Sequence, residues 1–159
     1  MDFNKGEVYS STLKHIPVPN FDGDFSDKYK EFYDGIENYL NTLDLKNIKL
    51  SNESINLGSN SMFGSSNNVA AFGLSYKKGK LKKLSAFFLV TNIGNVFNFS
   101  LYKQASLGFF DALTLVSPSE KVAVIQSKLK TIEEAEEFSV FNSISDMLYA
   151  KGIEATKLG

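Results

Sequence analysis

The run from Val69 to Lys103, VAAFGLSYKKGKLKKLSAFFLVTNIGNVFNFSLYK, constrains the fold more than any other stretch of this chain. It holds the densest apolar material, cut into segments by Lys77-Lys78-Gly79-Lys80 and Asn92-Ile93-Gly94-Asn95. Aromatic and β-branched runs bounded by Gly-containing turns read as antiparallel strands. If Ile93-Gly94 forms a two-residue turn, Val90 faces Phe97, Phe88 faces Phe99 and Ala86 faces Leu101, which makes one face almost wholly apolar. Gly94 suits positive φ there, Ile93 resists it, and a longer loop is the alternative. The opposite face sets Thr91, Leu89, Phe87 and Ser85 against Val96, Asn98, Ser100 and Tyr102.

At the first turn, a slip of one residue moves every side chain to the other face. A two-residue loop puts Val69, Ala71, Gly73 and Ser75 beside Leu84, Ala86, Phe88 and Val90. A three-residue loop with Gly79 in the left-handed position puts Ala70, Phe72, Leu74 and Tyr76 there instead. The second arrangement buries the large residues together and is preferred.

Helical spacing appears on both sides of this meander. Tyr29, Phe32, Tyr33, Ile36, Leu40 and Leu43 form one apolar stripe over about 26–42. Asp22, Asp24 and Asp27 precede it with loosely calcium-loop spacing, but the motif's Gly and closing Glu are missing, and Asp24 or Ser26 as a helix cap is the preferred reading. Thr131-Ile132-Glu133-Glu134 is a capping box, followed by a stripe of Ile132, Ala135, Phe138, Phe141, Ile144 and Leu148 over about 132–150. Lys151-Gly152 reads as its end, with a frayed tail from Ile153. Glu7 to Ile16 and residues 47–57 read as strands. Residues 58–68 form a polar connection, Gly58 and Gly64 lacking a P-loop's spacing and Lys. Residues 111–127 fit either a hairpin over Ser117-Pro118-Ser119-Glu120 or a helix starting there; the hairpin is favoured, because it extends the sheet. The expected fold is one α+β domain over 1–159, an antiparallel sheet of about 5–6 strands with the 26–42 and 132–150 helices packed on one face.

The absent residue types narrow the chemistry. The chain has no Cys, so thiolate sites and Cys nucleophiles are excluded, and His15 is the single histidine from which any nucleophile–His triad or His metal site has to be built. All 17 basic residues are Lys, and Arg, the usual fork for phosphates and base edges, is missing. Lys and Asn richness hints at an AT-rich genome, such as a low-GC bacterium or its phage. Net charge is −1, which gives no global pull toward nucleic acid or anionic membrane. The polar N-terminus and the lack of a long apolar run point to the cytoplasm. No cofactor or metal pattern is present. His15 reads as a surface residue, Glu133, Glu134, Glu136 and Glu137 as a solvated helix face, and Asp111 as the acid with the best claim to burial.

Two features point to partners. Lys77, Lys78, Lys80, Lys82 and Lys83 crowd one hairpin tip, suited to a nucleic-acid backbone or an acidic protein face. Phe87, Leu89, Val96 and Tyr102 lie on a second sheet face that needs cover from the rest of the chain or from another copy. The expectation is a non-catalytic interaction or assembly protein, not an enzyme, binding another protein or itself through these residues. A nucleic-acid-binding accessory role for Lys77–Lys83 is the alternative.

Overall fold

The computed structural model describes residues 3–56, 68–76, 83–106 and 117–158. Strands β1 (Val8–Pro17), β2 (Ile48–Asn56), β3 (Asn68–Tyr76), β4 (Leu84–Ile93) and β5 (Val96–Ala105) form one sheet in the order β1-β5-β4-β3-β2. Every described neighbour pair is antiparallel. Helices α1 (Phe25–Thr42), α2 (Pro118–Lys128) and α3 (Ile132–Ala155) complete an α+β architecture. The central strands β4 and β5 come from the expected meander, and β1 returns to cover the β5 edge.

The β4–β5 turn sits one residue later than expected. Ile93 pairs with Val96, Val90 with Phe99 and Phe88 with Leu101, so Gly94 and Asn95 are the central residues. Gly94 takes φ +56°, and Ile93 stays in the strand, free of the positive φ that a β-branched residue resists. Moving the turn by one residue moves the register by two, so both expected faces survive. Between β3 and β4, Phe72 pairs with Phe88 and Leu74 with Ala86, which gathers the large residues as anticipated. Gly79 and its loop lie outside the described residues.

The helices bury that face. Phe32, Ile36 and Leu40 of α1 and Phe138, Phe141, Ile144 and Leu148 of α3 join Leu74, Phe88, Phe97, Phe99 and Leu101 in the main core. Asp24 caps α1, its side chain accepting from the Ser26 N–H, the role preferred for it over calcium binding. Hydrogen bonding from the Ser26 side chain first, and from its backbone N–H second, holds the Asp24 carboxyl below its ordinary value.

Three expectations need correction. Residues 118–128 form a helix, not the second arm of a hairpin. Ser117 Oγ accepts from the Glu120 N–H, Pro118 occupies the first turn, and Ile125 is buried, so the capping signal outweighs the strand propensity of Val122–Ile125. Helix α3 does not stop at Lys151-Gly152 but runs to Ala155, and the expected frayed tail is packed, with Ile153 in the helix and Thr156 after it both buried. The α3 stripe also starts later than its spacing implied, since Ile132 is 80% exposed.

The second sheet face is closed by this chain itself. Phe87 and Leu89 are 0% and 1% exposed and cluster with Ile55 and Ala71. Phe3 stands edge-on to Phe87 at 5.4 Å and lies 5.5 Å from Tyr102. The Asn4 N–H donates to Gln104 Oε1 at 3.0 Å, which fixes the N-terminal segment across β5.

Candidate functional site

On the sheet's helix-covered face, β5 carries a buried lysine where an apolar residue is expected. Lys103 on β5 pairs across the sheet with Ala86 and Ser10 and is 5% exposed. A buried ammonium is costly unless paired. Asp146 on α3 supplies the pair, with Nζ–Oδ1 at 2.8 Å, and its own side chain remains 61% exposed. The cation is therefore fixed inside the molecule while the carboxylate reaches solvent.

Asp146 lines a cleft of about 270 Å³ between α2 and α3. Ala135, Ser139, Asn142, Ser143 and Asp146 line it from α3, at spacings that keep them on one flank of the helix beside the apolar stripe. Gln126 enters from α2, and Leu129 and Phe138 add apolar surface. Four hydrogen bonds hold the walls. The β-bulge between Val8 and Ser10 accompanies the burial of Tyr9, whose hydroxyl donates to Asn142 Oδ1 at 2.9 Å. Asn142 Nδ2 donates to the Phe138 carbonyl at 2.9 Å. Lys121 Nζ donates to the carbonyls of Gly6 and Val8 at 2.7 and 3.1 Å, which ties α2 to the entry of β1. Burial drives the Tyr9 pKa far above its ordinary value, and the charge of Asp146 adds to the shift, so this hydroxyl stays a donor.

A second cleft of about 320 Å³ lies at the α1–β2 corner, lined in part by Glu37, Asn41, Asp44 and Lys49. It sits at the C-terminal end of α1, where the helix dipole is negative, beside two carboxylates and one lysine. That environment disfavours an anionic ligand. Among the described residues, no three His, Cys, Asp or Glu side chains gather as a metal-ligating group.

The sequence-derived site residues scatter. Lys77, Lys78, Lys80 and Lys82 lie outside the described residues, as does Asp111; Lys83 is exposed just before β4. Phe87 and Leu89 are core side chains and present no surface to a partner, while Val96 and Tyr102 are half-buried. His15 is exposed on β1 and hydrogen-bonds Asn98. Sequence reasoning missed Lys103, Asp146, Asn142 and Tyr9. The one available signal was a lysine at a position whose neighbours two residues away on the same face, Leu101 and Ala105, are apolar.

These features define an α+β protein with a polar cleft backed by a buried lysine paired with a solvent-exposed aspartate. The family model described as Phytase matches residues 20–125, more than half of the chain, and the chain belongs to that family. The match runs from the approach to α1 through β5 into α2; it includes Lys103 and leaves β1 and α3 outside. No curated protein and no solved structure matches the chain. Membership in a family of that description overturns the expectation of a non-catalytic interaction or nucleic-acid accessory protein, and with it the expectation that the chain is not an enzyme. The reasoning failed because absent Cys and a single His exclude thiolate chemistry and restrict His-based chemistry to His15, and nothing more. They leave open hydrolysis in which a carboxylate moves the proton and a lysine balances charge.

Proposed function

We propose that this chain hydrolyses phosphate monoesters, with the α2/α3 cleft as its site. The family match carries the reading. The Asp146–Lys103 pair supports the location, because it joins a solvent-reaching proton acceptor to a fixed cation at the wall of a cavity. In the proposed step a water oxygen forms the new bond to phosphorus and the ester P–O bond breaks. Asp146 takes the water proton, and the departing alcohol oxygen takes a proton from bulk water. Lys103 offsets the charge of Asp146, which otherwise repels the incoming dianion. Five of the seven residues from 77 to 83 are Lys, in the matched segment, a concentration of positive charge that attracts a polyanionic substrate.

The test is release of inorganic phosphate from phytate and from a simple aryl phosphate by the full chain. Release from either, with Asp146→Asn lowering kcat by roughly 100-fold or more, is expected for loss of a proton acceptor. A purified, folded chain that releases phosphate from neither substrate overturns the reading.

A further inference from the structure

The two edges of the sheet are built differently. β1 is guarded: a bulge interrupts it between Val8 and Ser10, Lys121 Nζ takes the carbonyls of Gly6 and Val8, and Pro17 ends it without an N–H. Such features keep an edge from pairing with another strand. β2 has none of them. Its 9 residues, IKLSNESIN, contain no Pro or Gly and pair with β3 in unbroken register from Ile48 to Asn56.

The hydrogen-bond alternation of the sheet determines which backbone groups this edge offers. The Ser106 N–H donates to the Lys83 carbonyl and the Val18 N–H to the Asn95 carbonyl, which fixes the β4–β5 and β1–β5 ladders. Carried through the β4–β3 and β3–β2 registers, the alternation turns the backbone groups of Lys49, Ser51, Glu53 and Ile55 toward β3 and those of Ile48, Leu50, Asn52 and Ser54 outward. Among the described residues, nothing hydrogen-bonds these outward groups.

The side chains select what pairs with them. Lys49 and Glu53 lie on one face of β2 with Ser51 between them, and Ser51 Oγ donates to Glu53 Oε1 at 2.7 Å. The two charges stand about 13 Å apart along the strand, too far to pair with each other. A two-fold axis at Ser51 sets each Lys49 opposite the other copy's Glu53 and matches the outward groups of Ile48 to Ser54 and of Leu50 to Asn52. We propose that β2 is the interface for a second copy of this chain, the two sheets joining through antiparallel β2 strands into one. A contact one strand wide is small, so the expected dissociation constant is on the order of 10–100 µM. It lies at the opposite edge of the sheet from β1, to which Lys121 ties α2, so it is independent of the hydrolysis proposed for the α2/α3 cleft.

The test is sedimentation velocity on the full chain at low salt, over concentrations from about 1 µM to about 1 mM. A monomer–dimer equilibrium is expected within that range. Lys49→Glu and Glu53→Lys each set like charges opposite one another across the axis and are expected to weaken association roughly tenfold or more. Mixed in equal amounts, the two variants regain opposite charges at both pairs and are expected to associate as the parent chain does. Asn52→Pro removes an outward N–H without touching the β3 ladder and is expected to give a monomer. A parent chain that stays monomeric throughout overturns the proposal, as does a dimer indifferent to Asn52→Pro. Folded charge variants that fail to rescue each other also overturn it, and where either variant does not fold, Asn52→Pro decides.

Discussion

The lysine–aspartate pair is asymmetric, and that asymmetry predicts what each substitution does. Lys103 is buried and Asp146 mostly solvated. Lys103→Met keeps the aliphatic packing and leaves a carboxylate that water can hydrate, so it is expected to change stability by about 1 kcal/mol or less. Asp146→Ala strands a buried ammonium and is expected to cost about 2–3 kcal/mol, less than a fully buried pair because its own site is open. Urea midpoints decide this, and equal losses for the two variants contradict the geometry. The tyrosines carry a second residue-scale signature. Burial raises Tyr33 and Tyr149 to about 12, and the Tyr149 hydroxyl donates to the Phe99 carbonyl at 2.7 Å. Below about pH 10 a tyrosine is protonated in both folded and unfolded chains, and its contribution is complete. Between pH 10 and 12 the unfolded chain releases protons that the folded chain keeps, so stability falls as pH rises. Tyr149→Phe is expected to flatten that decline in a series of denaturation curves; an unchanged slope argues against the burial.

Among the elements, α1 and α3 meet at two glycines. A Cβ on Gly152 stands 2.8 Å from Ile36 Cγ1 and 2.8 Å from Phe32 Cδ2, and one on Gly35 stands 2.5 Å from Ala155 Cβ. The helices therefore approach at positions where only hydrogen fits, and Gly152 is a packing residue, not a helix stop. Gly35→Ala gains helix propensity of about 1 kcal/mol but is expected to lose more to overpacking, for a net cost of about 1–2 kcal/mol. Ala155→Gly removes the nearest clash, so the double variant is expected to show a favourable coupling of about 0.5 kcal/mol or more. Additive effects in that cycle argue against the close approach. This crossing also shows what local pattern conveys. The stripes of α1 and α3 and the two faces of the meander were legible, because helix and strand periodicity depend on nearest neighbours in sequence. That Gly152 continues a helix was not, because the reason lies in Phe32 and Ile36, more than a hundred positions away.

For the whole molecule, the same division separates fold from site. Tyr9, Lys103, Asn142 and Asp146 come from both halves of the sequence, and no motif spacing joins them. Only the β1–β5 pairing and the packing of α3 bring them to one place. The lysine run was legible as charge but was assigned to a nucleic acid or protein, because charge alone names a sign and not a ligand. If this run draws in a phosphorylated substrate, its effect is long-range and screened. The Debye length shortens from about 30 Å at 0.01 M salt to about 10 Å at 0.1 M. Apparent kcat/KM for phytate is then expected to fall several-fold across that range while kcat at saturation holds, since steering affects encounter and not the bond-breaking step. Replacing Lys77, Lys78, Lys80 and Lys82 together by Gln is expected to remove most of the salt dependence and leave the Asp146–Lys103 pair intact. A kcat/KM that ignores salt in the parent chain, or keeps its full salt dependence in the variant, assigns the attraction elsewhere. A simple aryl phosphate, with less charge, is expected to show a shallower dependence than phytate, which separates steering from a general effect of salt on the fold.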